Sequence, residues 1–273
     1  MHPIYIVLIS VGSALLLLFV LYLFLIKTHS PRKEMKRYKG VRFAHRGLHG
    51  DKIAENSMSA FKAAVDAGFG IELDVRLSSD GVLVVFHDDT LERMVGIRKR
   101  VDELTVSELT ALRLGNSDEG IPTFSEVLEL VGGRVPLLVE IKEDRGNFAV
   151  SDATAKALML YSGDYIVESF NPLTLGNVRK QLPMTPCGFL SCKHKPKSFV
   201  YFMLTNLLLN VTCRPDFIAY NLADSSNFFL RLVRTLFRAP TLAWTVRSEE
   251  EAKTAYDRGF DGIIFEGFIP ETL

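Results

Sequence analysis

Gly70-Ile71-Glu72-Leu73-Asp74-Val75-Arg76-Leu77-Ser78-Ser79-Asp80-Gly81-Val82-Leu83-Val84-Val85-Phe86-His87-Asp88 carries both the fold class and the chemistry. Alternate side chains of a strand share a face, so Glu72 and Asp74 point one way while Ile71, Leu73 and Val75 point the other. Two β-rich runs flank Asp80-Gly81, a strong hairpin signal, and centring the turn there sets residue 74 opposite residue 87. His87 is then expected beside Asp74. The return run 82–86 must be antiparallel, because a parallel partner needs a crossover of about a dozen residues. Upstream, Val41-Arg42-Phe43-Ala44 reads as a short buried strand that delivers His45-Arg46-Gly47, whose glycine can turn the chain sharply. Two histidines, an arginine and paired carboxylates point to phosphate chemistry at a metal.

Working outward, β-branched runs alternate with helical stretches from residue 41 onward. Candidate strands fall at 41–45, 71–76, 137–142, 165–170, 186–190, 217–221, 241–246 and 262–265. This alternation is the mark of a parallel α/β fold, and eight strands make a (β/α)8 TIM-type barrel, with the hairpin an extension after the second strand. Residues 41–273 come close to the ~250 residues of one such barrel, so a single catalytic domain is expected there. Asn56 or Ser57 caps a helix over 58–67 that Gly68 ends. Thr105 caps one through Leu114, Thr123 one through Val131, and Ser248 one that closes at Gly259.

Residues 4–26 carry no charge and are dominated by Leu, Val, Ile and Phe, long enough to cross a ~30 Å hydrocarbon core as a helix. The short N-terminal flank 1–3 lacks the positive n-region of a signal peptide, and no small-residue cleavage site follows the run, so a single transmembrane anchor is expected. The flank 27–40 holds six basic residues against one acid and reads as a juxtamembrane spacer that need not fold. Its cations favour a cytoplasmic catalytic domain and would be drawn to an anionic lipid surface. Lysine plus arginine balances aspartate plus glutamate at 32 each, which gives no global pull toward nucleic acid. Three cysteines, Cys187, Cys192 and Cys213, are too few and too irregular for a disulfide framework or a zinc site and are expected unpaired.

Leu137-Leu138-Val139-Glu140-Ile141-Lys142 places Glu140 and Lys142 on one face near the C-terminal end of a strand, the end that carries the active site in a barrel. Glu72, Asp74 and Glu140 would converge there as hard oxygen ligands suited to Mg²⁺ or Ca²⁺ rather than zinc.

The ordered set His45-Arg46-Gly47, Glu55-Asn56, Ala60-Phe61, Ile71-Glu72-Leu73-Asp74-Val75, Asp80-Gly81 and His87-Asp88 resembles the glycerophosphodiester phosphodiesterases. The likeness continues through Ile121-Pro122-Thr123-Phe124, Glu140-Ile141-Lys142, Glu168-Ser169-Phe170, Trp244-Thr245-Val246 and Gly262-Ile263-Ile264. It implies a metal-dependent phosphodiesterase with His45 and His87 as general base and acid. Glu72, Asp74 and Glu140 would bind one divalent cation, Arg46 and Lys142 would hold the phosphate, and Glu55, Phe170 and Trp244 would contact the substrate. The expected substrates are glycerophosphodiesters, with lysophospholipids as further candidates. This chain departs from the family pattern at Ala54-Glu55-Asn56-Ser57, which keeps the acid and amide, and at Phe265-Glu266-Gly267-Phe268, where Glu266 supplies the usual charge at longer reach.

A retired barrel that only binds phospholipid head groups is the alternative, and the intact set of acid, base and metal ligands argues against it. The stretch Lys193 to Arg214, with Lys193, Lys195 and Lys197 before the apolar run 199–209, admits two readings: a barrel helix packed on the core, or a membrane-contacting segment.

Overall fold

The computed structural model describes residues 3–29, 33–143, 145–195 and 198–271. Among the described residues nine strands form one sheet: β1 (Arg42–Ala44), β2 (Gly70–Leu77), β3 (Leu83–Val85), β4 (Leu137–Ile141), β5 (Tyr165–Ser169), β6 (Cys187–Ser191), β7 (Phe217–Asn221), β8 (Thr241–Val246) and β9 (Gly262–Phe265). Its order is β1-β9-β8-β7-β6-β5-β4-β2-β3, and a further β1–β2 pairing closes eight parallel strands into a barrel. All eight expected barrel strands are present, and β3 is the antiparallel extension on β2.

Strand parity sorts the interior into two layers. Phe43, Leu138, Ile166, Leu190, Phe217, Ala219, Leu242 and Ile264 fill the lower barrel. Gly188 leaves the space that the Phe217 ring occupies, since a Cβ there would lie 2.1 Å from it. One layer higher, toward the strands' C-terminal ends, the inward positions are Glu72, Asp74, Glu140 and Glu168, all buried. The opposite parity, with Ile71, Leu73, Val75, Leu137 and Val139, packs on the surrounding helices. An apolar floor thus supports an acidic upper layer.

The hairpin register differs from expectation. Val75 pairs with Val85 and Leu77 with Leu83, and Phe86 N donates to Asp74 O at 3.0 Å, so Phe86 rather than His87 lies opposite Asp74. The connection is the five-residue loop 78–82 rather than a two-residue turn. It is held by the Ser78 hydroxyl, which donates to Asp80 Oδ1 at 2.6 Å and accepts from Val82 N at 2.9 Å, with Gly81 at φ +80°. Capping follows the sequence at Ser57, Thr105, Thr123 and Ser248, each accepting from a first-turn N–H. The helix from Thr105 ends at Ala111 rather than Leu114, because the chain turns there into a short bridge between Arg113 and Gly120. All three cysteines are free.

The basic segment 27–40 is not a loose spacer in its described part. Lys33–Tyr38 forms a 3-10 helix under the barrel, where Met35 and Tyr38 are buried on the apolar floor and the Tyr38 hydroxyl donates to Tyr165 O at 3.1 Å. Two apolar side chains in a polar run give no periodic signal, which is why the sequence reads as linker. Tyr38→Ala is expected to cost ~3–5 kcal/mol, the scale of an aromatic cavity, and Tyr38→Phe only ~1 kcal/mol for the hydrogen bond. Urea denaturation of the two variants checks this.

Residues Pro3–Ile26 form one helix with a mean hydropathy of 2.8 over its most apolar window, the only described helix long and apolar enough to cross a membrane. Its last turn docks on the barrel. Ile26 is fully buried, Asn210 Nδ2 donates to Ile26 O at 2.8 Å, and His29 N donates to Pro215 O at 2.9 Å.

Candidate active site

The end of β1 delivers His45, and the chain then folds back over the upper layer through Arg46 (φ 54°) and Gly47 (φ 79°). A Cβ on Gly47 would lie 2.8 Å from Ala60, so glycine is required for this close approach to the helix Met58–Asp66. Arg46 N donates to Glu72 Oε2 at 2.9 Å, and its guanidinium donates to Glu55 Oε1 at 2.8 Å. Asn56, buried beside it, donates to Asp74 Oδ2 at 2.9 Å. Backbone and side chains of this turn therefore fix two inward carboxylates of β2.

Glu72, Asp74 and Glu140 each offer an oxygen within 4.8 Å of the others'. Lys142 Nζ lies 3.0 Å from Asp74 Oδ1 and 2.6 Å from Glu140 Oε1. Burial works against ionisation of Asp74, but Lys142, His87, Arg46 and the Asn56 amide outweigh it and hold its carboxyl well below the usual range. Burial pushes Glu140 up to about 7 despite Lys142, and burial plus the neighbouring acids pushes Glu72 and Glu168 well above the ordinary glutamate value. The Glu168 Oε2 atom has no hydrogen-bond partner among the described residues. Four inward acids face two cations, a charge deficit that a divalent ion would relieve, and an all-oxygen donor set fits a hard one.

Each histidine is oriented by a carboxylate. His45 Nδ1 is 2.5 Å from Glu266 Oε2, and its Nε2 lies 3.9 Å from Glu72 Oε2. His87 Nδ1 is 2.6 Å from Asp88 Oδ1, while Arg76 holds the His87 carbonyl through Nε and Nη2 at 2.9 and 2.8 Å. A carboxylate on Nδ1 fixes the tautomer that leaves Nε2 for chemistry. The bond from His45, helped by Arg247, draws the Glu266 carboxyl down to about 2 against its burial. Burial first, then Lys142 and Arg46, lower the His87 pKa, against the pull of Asp74 and Asp88.

The structure brings His45, Arg46, Glu55, Glu72, Asp74, His87, Glu140 and Lys142 to one end of the barrel. Phe170 and Trp244, following β5 and within β8, meet edge to face at 5.6 Å on the apolar side of the same mouth. Glu55 is turned toward arginines: Arg93 donates to its Oε1 and Oε2 at 2.6 and 3.0 Å, in addition to the Arg46 bond. Arg93 also donates to Asp88 Oδ2 at 2.6 Å. This bridge from Glu55 to Asp88 is absent from the sequence reading, since Arg93 sits in a short helix outside any motif. His49, 3.9 Å from Glu266 Oε2, was also missed, although its spacing of four from His45 was a signal.

Comparison with known proteins bears on the family and the fold. The model of the glycerophosphoryl diester phosphodiesterase family matches residues 45–267. A glycerophosphodiester phosphodiesterase of Caldanaerobacter subterraneus subsp. tengcongensis is 31% identical over 252 residues, 86% of this chain and 96% of that protein. The crystal structure of a glycerophosphodiester phosphodiesterase from Thermotoga maritima has a TM-score of 0.66 at 29% identity, covering 83% of this chain and 94% of that one. An Oleispira antarctica phosphodiesterase solved with the product sn-glycerol-3-phosphate shares the fold, with a TM-score of 0.70 at 24% identity over 84% of this chain and 94% of that one. With barrel, motif order and relatives in agreement, the chain belongs to the glycerophosphoryl diester phosphodiesterase family, whose members hydrolyse glycerophosphodiesters.

Proposed function

We propose that this chain hydrolyses glycerophosphodiesters to glycerol phosphate and an alcohol in a reaction that depends on Mg²⁺ or Ca²⁺, with His45 and His87 as the acid–base pair. The observation that carries the reading is the pair of imidazoles, each tied through Nδ1 to a carboxylate, flanking the buried acids Glu72, Asp74 and Glu140. Glu72, Asp74 and Glu140 would hold a divalent cation, which would supply Lewis-acid charge for the phosphodiester. Arg46 and Lys142, fixed by Glu55, Asp74 and Glu140, add to the positive field that the transition state needs. One imidazole takes the proton of the attacking hydroxyl, and the other protonates the leaving alkoxide. Phe170 and Trp244 provide an apolar wall for the non-phosphate part of the substrate.

The helix Pro3–Ile26 is a membrane anchor in this reading, and the excess of basic residues in the flank supports a cytoplasmic barrel. Burial of Ile26 and its bond to Asn210 favour an anchor that stays attached over a leader that is removed.

The test is turnover of glycerophosphocholine, glycerophosphoethanolamine, glycerophosphoglycerol and lysophospholipids by the full chain, with and without EDTA. Turnover of at least one glycerophosphodiester is expected, abolished by chelation and restored by Mg²⁺ or Ca²⁺. No metal-dependent turnover on any of them would refute the proposal.

A further inference from the structure

We infer that the docked anchor turns the catalytic mouth of the barrel onto the bilayer, so that aromatic residues exposed around the mouth lie in the lipid interface. The inference rests on reading Pro3–Ile26 as a membrane span. In a closed parallel barrel every strand's C-terminal end lies at one end of the molecule, with the segments that follow the strands. The anchor touches the barrel at two levels. Tyr22 packs on Phe229 with ring centroids 5.3 Å apart, in the first turn of the helix Phe228–Phe237, which follows β7 and so belongs to the catalytic end. Farther along, the carbonyl of Ile26 meets Asn210 and the amide of His29 meets Pro215, just before β7 begins and therefore toward the opposite end. The helix descends along the barrel wall from the catalytic end toward the floor, where Lys33–Tyr38 closes it.

Residues 3–21 then project beyond the catalytic end. At 1.5 Å per residue they span about 28 Å, close to the ~30 Å hydrocarbon core. The bilayer surface consequently falls near the level of Tyr22 and Phe229. At that end the barrel exposes apolar rings that its own core does not require. Phe199 is 71% exposed and stacks on Phe202 at 6.1 Å, and Phe228 is 59% exposed. Leu173 and Ile269, which follow β5 and β9, are exposed as well.

The apolar run 199–209 divides between its two readings. Leu207 is fully buried, and the Thr205 carbonyl accepts from Tyr220 Oη at 3.0 Å and Asn227 Nδ2 at 3.4 Å, so the C-terminal half is core. The helix Phe199–Thr205 leaves its N-terminal half outward, tied through Asn227 to the neighbourhood of Phe228. Lys193 and Lys195 are exposed beside it, suited to anionic head groups, while Lys197 lies outside the described residues. From this patch aromatic rings lead inward: Tyr201 to His194 at 5.5 Å, His194 to Phe170 at 6.2 Å, and Phe170 to Trp244 at 5.6 Å. An amphiphile with a phosphodiester head could enter the site along this row while its chain remains in lipid.

The test uses the full chain in vesicles of phosphatidylcholine and phosphatidylglycerol, with brominated phosphatidylcholine as the quencher. Trp244 is the sole tryptophan, so Trp244→Phe gives a dark background for spectroscopy. Into it go Phe199→Trp or Phe228→Trp at the mouth, and Leu160→Trp or Met184→Trp at exposed sites before β5 and β6, at the other end. Bromolipid is expected to cut emission at the first two by about half or more and to leave the others unchanged. In the otherwise native chain, Phe199→Ser with Phe202→Ser should slow hydrolysis of vesicle-borne lysophosphatidylcholine by about ten-fold and leave glycerophosphocholine turnover unchanged. Quenching at 160 and 184 instead, or at none of the four in protein that floats with vesicles, overturns the orientation. Cross-linked dimers through position 199 with no quenching would make the patch a self-contact, which also overturns it. Failure to float refutes the anchor itself, whereas loss of glycerophosphodiester turnover in the native chain refutes the enzymatic reading and leaves the quenching result standing.

Discussion

Alanine in place of either rim histidine, His45 or His87, is expected to lower kcat by about two to four orders of magnitude, the scale of losing a general acid or base. The fold should survive. Both side chains are partly exposed, and the carboxylates they leave behind keep other partners: Glu266 retains Arg247 at 2.7 Å, and Asp88 retains Arg93 at 2.6 Å. Neither substitution strands a buried charge. Because a carboxylate on Nδ1 sets the tautomer of each ring, Asp88→Asn and Glu266→Gln should cost less, roughly 10- to 100-fold, and should reshape the pH–rate profile. Steady-state kinetics on glycerophosphodiesters with circular dichroism as the folding control measures both effects. A near-native rate in His45→Ala or His87→Ala would move the acid–base chemistry to other residues.

The barrel was legible because its strands are short, largely apolar runs set between helical stretches, and runs such as Leu137–Ile141 are apolar on both faces until the acid near the end. Alternation in Gly70–Leu77 was enough to place Glu72 and Asp74 on one face, and that face is the acidic upper layer. Register was less legible. Asp80-Gly81 has the composition of a two-residue turn, but the Ser78 hydroxyl competes for the backbone and makes a longer loop, so the pairing slips by one residue. Contacts made by long polar side chains across the fold were not legible at all. Arg93 reaches Glu55 over 38 positions of sequence, and no local pattern encodes that bridge. Tyr38 and Met35 were hidden for a related reason: a plug made of two residues has no period.

Removing the negative charge of Glu140 should move cation affinity and metal-free stability in opposite directions. Asp74→Asn, Glu72→Gln and Glu140→Gln are each expected to weaken Mg²⁺ or Ca²⁺ binding by more than about 100-fold, since loss of outer partners alone costs 10- to 100-fold. Calorimetric titration of either ion reads this directly, and unchanged affinity in all three variants would place the ion elsewhere. Stability without metal follows from the proton linkage. Burial lifts Glu140 from 4.5 to about 7, so the folded state holds a proton that the unfolded chain releases. A raised carboxyl contributes stability that is present below about 4.5 and lost as pH rises through about 7, while the lowered His87 pKa acts in the opposite sense, so the Glu140 share is the part of the melting-temperature difference between pH 5 and pH 7.5 that Glu140→Gln removes. Asp74 does not cancel this share, because its carboxyl is held below the usual range and its contribution is lost only in stronger acid. Glu140→Gln should remove that share and raise the melting temperature at pH 7.5, while the native protein should gain the same stability only when the divalent ion is added. A Glu140→Gln variant that loses both affinity and metal-free stability would mean that Glu140 is held in place by Lys142 as a structural ion pair, and that the ion is bound without it.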